Sequence, residues 1–490
     1  MLIHFTRSFL IATATFVSFL PGCQHSSREK PTPLNILWIV SDDLGTDLGC
    51  YGNTAVATPN LDQFAGESVR YTNFFTSAPV CSPSRSGLIT GMYPVSIDCH
   101  QHRTSHKKPL PGGVEPITSY FREAGYFVTN GNTSLEGKGK TDYNFQHKSE
   151  DMFDGVDYRA RAEGQPFFSQ IQIFLPHRPF KQDESRPVNP DSVDIPPYYP
   201  DHPVTRKDWA LYLETIQHVD RAFGKVMERL REDGVLENTV IFFVGDQGRP
   251  HLRAKQFLYD AGTHTPLMVR WPDGRGAGTV SGALVSNIDL STASLVLAGI
   301  EVPSHIHGVN FLDEATERAY VFTAKDRMDG TVDRQRALRN QDFKYIKNYY
   351  PGRAYAQFNT YKKTSYPVLT LMEVMKEKGQ LDEAQLPFMA ATRPGEELYD
   401  LKNDPYELNN LADDEDYGEV LSAMRNTLAG YVEKYDKGQY PENEEELTRA
   451  RETMMKAYER KMKRMGLDTG VSNQAYLKYW ETELLKEETD

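Results

Sequence analysis

The sequence of 490 residues predicts an α/β fold, with a large, mixed but mainly parallel sheet between helices and a smaller C-terminal α+β subdomain. Three observations predict it. Apolar runs of strand length alternate with helical segments along the chain. Two of these runs lead directly into acidic residues, as at the carboxyl ends of buried parallel strands. After about residue 318, short strands and turns replace the alternation.

The elements of the predicted sheet follow in chain order. The first strand is NILWIV at residues 35–40. A helix is expected to begin near Pro116 and end at Gly125, with a strand from Tyr126. PFFSQIQIF, NTVIFFVG and TPLMVRWP are the later strands. Between the first two of these, DWALYLETIQHVDRAFGKVMERLREDG predicts a long amphipathic helix that ends at Gly234.

The first 22 residues are typical of a signal peptide. Arg7 precedes SFLIATATFVSFL, an apolar run that is too short to span a bilayer. The LPGC that ends this run resembles a bacterial lipobox, in which Cys23 would become the lipidated first residue. The sequence then predicts an exported bacterial lipoprotein at the periplasmic face or outer membrane, and plain secretion with cleavage nearby is the alternative. Residues 23–33 are polar and contain proline, which predicts a tether.

The remaining chain divides into three predicted parts. Residues 34–318 form the main domain, 319–430 the smaller subdomain, and 431–490 a charged helical extension. The net charge is −13, so no overall basic field favours nucleic acid as a partner.

Polar side chains follow two of the predicted strands. Asp42 and Asp43 come after the first strand, and Asp246 and Gln247 come after NTVIFFVG. Carboxylate and amide oxygens suit Ca²⁺ or Mg²⁺. A single aspartate in such a place is usually a helix cap or turn residue. Acids at two strand ends favour a metal site, provided that the two strands are neighbours.

Cys81 lies in SAPVCSPSRSGLITGMYP, a segment without a nearby cysteine. For an exported protein, half of a disulfide is the usual interpretation and a buried free thiol is the second. Pro83 predicts the first turn of a helix, so Cys81 would stand at the helix N-terminus, where N–H groups and the helix dipole favour an anion. Cys50 and Cys99 are either a disulfide or two separate thiols.

C-S-P-S-R followed by SGLITG resembles the signature of the type I sulfatases, C-x-P-x-R with a helical continuation. Other family signatures occur in order: Asp42-Asp43, FLPHRPF with His177, GDQG with Asp246 and Gln247, the segment from Lys255 to TPLMVRWP, and ELYDLKNDPYELNNLA. At the position of Gln247, Asn or His is commoner in the family than Gln. The resemblance covers roughly residues 34–415 and implies an alkaline-phosphatase-like fold, with 34–318 as the catalytic domain.

The resemblance also implies the site. In the family the cysteine is oxidised to formylglycine (3-oxoalanine) before export, by a formylglycine-generating or anaerobic sulfatase-maturating enzyme. The implied catalytic residues are Cys81, Arg85, Lys140, His177 and Lys255. The implied metal ligands, with Ca²⁺ favoured over Mg²⁺, are Asp42, Asp43, Cys81, Asp246 and Gln247.

One segment departs from the family pattern. In GYFVTNGNTSLEGKGKTDYNF, Lys140 corresponds to the family's catalytic lysine and Lys138 is the alternative. The usual histidine two residues later is replaced by Asp142, which leaves the acid for the leaving group unassigned. GKTDYNF, DRMDG and the long insert before PGEELYDL resemble a bacterial branch near the N-sulfoglucosamine sulfohydrolases.

The implied activity is hydrolysis of a sulfate ester or N-sulfate on a carbohydrate. A hydroxyl of the hydrated formylglycine attacks sulfur, and deprotonation of the second hydroxyl releases inorganic sulfate. The substrate-binding candidates are His100, His102, Arg103, Asp326 and Arg327. The alternatives are a phosphatase or phosphodiesterase of the same superfamily, a non-catalytic glycan-binding lipoprotein, and, for the histidine cluster, a zinc site or an exposed loop.

Overall fold

Seven strands form a central sheet in the computed structural model, which describes residues 1–2, 33–440 and 442–486. Leu34–Asp490 form one compact unit. Cys23, the predicted signal h-region and nearly all of the predicted tether lie outside the described residues. Among the residues that are described, no helix is both long and apolar enough to cross a membrane.

The central sheet has the strand order β3-β4-β1-β5-β6-β2-β7. All neighbours are parallel except β6, which runs antiparallel to β5 and β2. The sheet is therefore mixed but mainly parallel, as predicted. The strands are β1 Asn35–Ser41, β2 Val69–Phe75, β3 Phe127–Asn132, β4 Phe167–Ile173, β5 Thr239–Gly245, β6 Leu267–Arg270 and β7 Val280–Ser286.

Helices cover both faces of this sheet. Alternate side chains of β1 point into two different cores, with Leu37 and Ile39 in one and Ile36, Trp38 and Val40 in the other. The helices up to the end of the main sheet are α1 Pro59–Gly66, α2 Cys81–Thr90, α3 Ile117–Glu123, α4 Ser149–Met152, α5 Pro203–Glu232, α6 Asp260–Thr263 and α7 Asp289–Leu297. Residues of α1 and α5 line the first core, and residues of α2, α3 and α7 line the second.

A second, antiparallel sheet follows, with the order β11-β10-β9-β8. Its strands are β8 Val321–Lys325, β9 Gln335–Arg339, β10 Phe343–Asn348 and β11 Glu396–Asp400. The later helices are α8 Thr360–Ser365, α9 Pro367–Glu377, α10 Leu386–Met389, α11 Gly418–Tyr435, α12 Glu444–Arg464 and α13 Asn473–Leu484. Apolar side chains of α11 share a core with this sheet, which gives the predicted α+β arrangement.

The predicted helices and strands recur with small shifts, whereas β2 and β7 were not predicted. β2 carries the mixed sequence VRYTNFF, and the first half of β7, an edge strand, is mostly exposed. Neither sequence has the continuous apolar run that marks β1 and β5. Cys50, Cys81 and Cys99 are free thiols, so the disulfide alternative for Cys50 and Cys99 does not hold.

The charged extension begins with a capped helix. The Asn443 side chain accepts a hydrogen bond from the Glu446 backbone N–H at the start of α12. Three glutamates occupy the first turn of α12 and basic residues occupy its last turn, which suits the helix dipole. Apolar side chains of α13 pack against α5 and α9 through Leu477. Both helices are thus packed on the rest of the compact unit.

A buried ion network joins the small sheet to the end of α11. The fully buried guanidinium of Arg336 on β9 donates to Asp326 at 2.7 Å and to Asp436 at 2.9 Å. Asp326 follows β8 and Asp436 follows α11, so one arginine ties together three segments.

We expect the substitution Asp326→Ala to lower the free energy of unfolding by about 3 kcal/mol, because it leaves part of a buried charge without its partner. Urea denaturation measures this. The control is Asp273→Ala, which removes an exposed partner of Arg275 and should cost less than about 1 kcal/mol. Equal losses in the two variants would contradict the structural role of Asp326.

Candidate active site

The carboxyl ends of β1 and β5 bring together the acidic residues that follow them. The two strands are parallel neighbours, with Ser41 opposite Gly245. The requirement that the two acid-bearing strands be neighbours is therefore met. The backbone N–H of Asp43 donates to Asp246 Oδ1 at 2.9 Å. Asp43 has the left-handed φ of 62°, which turns the chain sharply after the strand.

Cys81 is the first residue of α2 and points into this cluster. Its Sγ lies 3.6 Å from Asp42 Oδ1, 3.8 Å from Asp43 Oδ1 and 3.3 Å from Gln247 Nε2. Burial raises the pKa of the Cys81 thiol to about 12, despite the opposing charges of Lys140 and Lys255. The thiol is therefore neutral near pH 7 and is not an activated nucleophile in this form.

Each carboxylate of the cluster has its own cation. Lys140 Nζ lies 2.8 Å from both oxygens of Asp42, and Lys255 Nζ lies 2.7 Å from both oxygens of Asp43. The third pair is Arg85 Nε with Asp246 Oδ2 at 2.7 Å. The alternative lysine, Lys138, lines a different cavity.

Burial and charge act differently on these acids. Burial alone would raise the pKa of Asp42, but the charges of Lys140 and Arg85 outweigh it and hold this pKa well below its ordinary value. Burial raises the pKa of Asp246 to about 7, against the opposing charge of Arg85. Closely spaced buried carboxylates of this kind are favourable sites for a cation.

The residues present fit a hard cation. Carboxylate oxygens of Asp42 and Asp43 and the Sγ of Cys81 lie within 4.8 Å of one another. The Oε1 of Gln247 is buried and has no hydrogen-bond partner in the part of the chain that the structure describes. A buried amide oxygen without a donor beside buried carboxylates is a donor set for Ca²⁺ or Mg²⁺. Within the described ranges, neither His100 nor His102 belongs to a group of three or more side chains placed to hold a metal ion.

His177 lies at the edge of the cluster on a firmly held loop. Its Nε2 is 3.9 Å from Asp43 Oδ2, and its Nδ1 contacts the Arg178 carbonyl oxygen at 2.7 Å. Arg178 forms a buried bidentate pair with Asp208 at 2.7 and 2.6 Å. The pair fixes the loop and so the direction of the His177 ring.

Asp142, which stands where the family has a histidine, is not the acid that protonates the leaving group. It accepts two hydrogen bonds from Arg103, at 3.3 and 3.0 Å, and lies 3.8 Å from Lys140 Nζ. Although burial acts in the opposite direction, these two cations lower the pKa of Asp142 to about 2. An ionised carboxylate positions Arg103 and Lys140 but has no proton to give to a leaving group.

A cavity of about 380 Å³ lies beside the cluster. Its lining includes His177 and Lys255 from the cluster, and His102, Arg103 and Arg327 from the predicted substrate-binding set. Residues that sequence reasoning missed complete the lining. Three lie outside the helices and strands, namely Ser105, Gln256 and Asp329, and the others come from α8 and α12, namely Thr360, Tyr361, Ala450, Thr453, Met454, Ala457 and Lys461. Their types are ordinary for helices, so only their position in space marks them.

The structure places two residues of the predicted substrate-binding set, His100 and Asp326, outside the lining of this cavity. His100 is 2% exposed, lies with its ring 5.7 Å from the Tyr440 ring in a tilted arrangement, and faces Asp326 at 3.8 Å. Asp326 is fully buried and held by Arg336. Neither lines the cavity. His102, Arg103 and Arg327 do line it.

Comparisons with known proteins agree with this geometry. The family model described as Sulfatase matches residues 34–300, and the model described as N-sulphoglucosamine sulphohydrolase, C-terminal, matches residues 248–378. An ulvan-active sulfatase of Formosa agariphila is 32% identical, over 87% of this chain and 79% of the relative. The N-sulphoglucosamine sulphohydrolase of Homo sapiens is 28% identical, over 82% of this chain and 90% of the relative.

Solved structures share the fold. A protein in complex with its substrate D-glucosamine-2-N,6-O-disulfate has a TM-score of 0.61 and 19% identity, over 84% of this chain and 100% of that chain. A phosphonate monoester hydrolase of Agrobacterium radiobacter has a TM-score of 0.61 and 17% identity, over 82% of this chain and 96% of that chain. At these identities the likeness shows the alkaline-phosphatase-like fold alone. The family model and the sequence relatives show more: the chain belongs to the type I sulfatase family and is a sulfuric ester hydrolase.

Proposed function

We propose that this sulfatase removes sulfate from a sulfated carbohydrate, as an O-sulfate or N-sulfate, through a formylglycine made from Cys81. One observation carries the proposal. Cys81 stands at the N-terminus of α2 against Asp42 and Asp43, where burial keeps its thiol protonated. The position suits the reacting group of the site, whereas the thiol itself does not suit nucleophilic attack.

The modified residue and the cation each supply one part of the chemistry. Formylglycine, when hydrated, supplies a hydroxyl that would attack sulfur and break its bond to the sugar oxygen or nitrogen, which leaves with a proton. Deprotonation of its second hydroxyl would then release sulfate and restore the aldehyde. Asp42, Asp43, Asp246 and Gln247, together with the group at position 81, would hold the Ca²⁺, which supplies positive charge at the sulfuryl oxygens and favours the deprotonated hydroxyl.

The chain's own cations stabilise the transferred group. Lys255 and His177 line the cavity next to Asp43, so they face a sulfate that enters from the cavity. Lys140 lies on the other side, at Asp42. Preorganised donors of this kind are each worth about 10²–10³-fold in rate. Arg85 acts differently, because its contacts to Asp246 and to Gln172 at 2.7 Å hold the ligand Asp246 in place.

Sulfated glycans are the substrate class that the relatives support. The relatives include sulfatases described as ulvan-active and as an N-sulphoglucosamine sulphohydrolase. His102, Arg103 and Arg327 line the cavity in which the sugar would lie. Export, lipidation of Cys23 with membrane attachment, and a maturation enzyme for Cys81 complete the proposal and rest on the sequence alone.

Conversion and function of Cys81 are tested together. Protein coexpressed with a formylglycine-generating enzyme should give a Cys81 peptide with the mass of the aldehyde and should hydrolyse 4-nitrophenyl sulfate. Cys81→Ala should lose at least about 10³-fold in turnover, because it removes the nucleophile, while it still binds a sulfated glycan. Cys99→Ala, at a thiol outside the cavity, should retain activity.

Turnover that survives Cys81→Ala would exclude the mechanism. Assays of 4-nitrophenyl phosphate and a phosphonate monoester under the same conditions test the rival that the fold permits. If either phosphorus ester is turned over faster than the sulfate ester, the result would favour a phosphatase or phosphodiesterase.

Calcium should stabilise the folded protein through the carboxylate cluster. At 100 times the dissociation constant, a ligand of the native state adds about 2.7 kcal/mol, which a thermal shift assay detects. Asp42→Asn should lose most of the shift because a ligand charge is removed. Asp98→Asn, at a partly exposed partner of Lys108, is the matched control and should keep the shift. A wild-type melting temperature that calcium and chelator leave unchanged would contradict the site.

A further inference from the structure

We propose that Lys461 on α12 binds a second anionic group of the substrate, a carboxylate or a further sulfate, on the sugar that carries the scissile sulfate or on its neighbour. The inference rests on the proposed function and narrows its substrate class. It makes α12 a specificity element of the enzyme.

The first argument is the pairing of charges around the cavity. Four lysine and arginine side chains line it, namely Arg103, Lys255, Arg327 and Lys461. Three have carboxylate partners: Asp142 at 3.0 Å from Arg103, Asp43 at 2.7 Å from Lys255, and Glu442 at 3.0 Å from Arg327. Lys461 alone among them has no carboxylate within 4.0 Å in the part of the chain that is described.

The surroundings of Lys461 leave its charge available. Its Nζ donates to Thr364 Oγ1 at 3.2 Å, a neutral acceptor that orients the amine without neutralising it. The carboxylate that lines the cavity, Asp329, contacts His102 Nδ1 at 3.0 Å and accepts from Asn359 at 3.1 Å. Asp329 also acts on Lys461 electrostatically, but from beyond ion-pair distance. A partly buried ammonium with no carboxylate in contact is costly, and an anionic ligand would relieve that cost.

The second argument is distance from the reacting group. The Nζ atoms of Lys255 and Lys461 lie 5.2 and 5.6 Å from the centroid of one ring, that of Tyr361. The His177 ring lies 5.6 Å from the same centroid. The Nζ of Lys461 therefore lies no more than about 11 Å from the Nζ of Lys255, which is the upper limit that these two distances set. One sugar residue, or two, can bridge such a span with a charged group at each end.

The third argument is that α12 is held firmly. Glu446 accepts from the Ser105 backbone N–H at 2.6 Å, and Thr360 Oγ1 donates to the Met454 carbonyl at 2.7 Å. A Cβ added at Gly330, in the loop between β8 and β9, would lie 2.9 Å from Met454 Cε and 3.1 Å from the Ala450 carbonyl oxygen. The helix α12 therefore packs directly on the backbone of that loop. A rigid element can place Lys461 without a large loss of conformational entropy on binding.

The test uses enzyme in which Cys81 has been converted to formylglycine, and it compares substrates that carry one anionic group with substrates that carry two. The probes are 4-nitrophenyl sulfate, N-acetyl-D-glucosamine-6-O-sulfate, D-glucosamine-2-N,6-O-disulfate and a monosulfated uronate. Lys461→Gln should raise KM for a doubly charged sugar by about 10-fold or more, the worth of a hydrogen bond to a charged group. It should change kcat/KM for the two singly charged substrates less than about 2-fold. Lys461→Arg should restore most of the affinity.

The two doubly charged probes distinguish the source of the second anion. A loss confined to the disulfated sugar identifies a sulfate, and a loss confined to the sulfated uronate identifies a carboxylate. Lys456→Gln is the matched control, because Lys456 is a 73% exposed residue of the same helix that pairs with Glu452. It should change none of these values.

Binding measurements keep this test independent of the proposed chemistry. Calorimetry with Cys81→Ala, alone and combined with Lys461→Gln, should show the same preference for the doubly charged sugar and its loss. Equal effects of Lys461→Gln on singly and doubly charged ligands, or no effect on either, would overturn the inference. Absence of sulfatase turnover in the wild type, with the binding preference intact, would instead overturn the proposed function alone.

Discussion

The balance of charge in one buried cluster is the interaction on which the rest of the site depends. Asp42, Asp43 and Asp246 are nearly inaccessible to water, and carboxylates in such a place would protonate unless cations lay beside them. Lys140, Lys255 and Arg85 are those cations. The arrangement requires the ends of two parallel strands, one helix N-terminus and two separate loops to meet at one point, which the doubly covered sheet provides.

The same lysines have a second role in this balance. They neutralise the carboxylates here, and they are the residues that the family resemblance assigns to the sulfate group. A cation held by the carboxylates would take over the neutralisation and leave Lys140 and Lys255 free to face an anion. In an acidic protein, with a net charge of −13, this is how a local positive site can exist without a basic surface.

Much of the fold and of this cluster could be predicted, because both depend on local sequence patterns. β1 and β5 are unbroken apolar runs with acids at their ends, and C-S-P-S-R is a contiguous motif. The irregular strands β2 and β7 could not be predicted, since their burial depends on partners distant in sequence. The side chains from Cys99 to Arg103 show the same limit. His100 and His102 are both histidines of one short segment, and only the packing of Tyr440 and Arg336 decides which of them reaches the cavity.

The two ends of the cavity are consequently specified in different ways. The end at His177 and Lys255 is formed by residues of the family motifs, so these residues are recognisable in the sequence. The other end is formed by α12, where the face that lines the cavity carries alanine, threonine, methionine and one lysine. Such a face has no signature, because a helix surface can be altered without disturbing the reacting groups. A segment that composition describes as a charged extension therefore forms one wall of this cavity. In the proposed function the sugar lies against that wall, and its one lysine, which has no carboxylate in contact, is the group that would select among sulfated sugars.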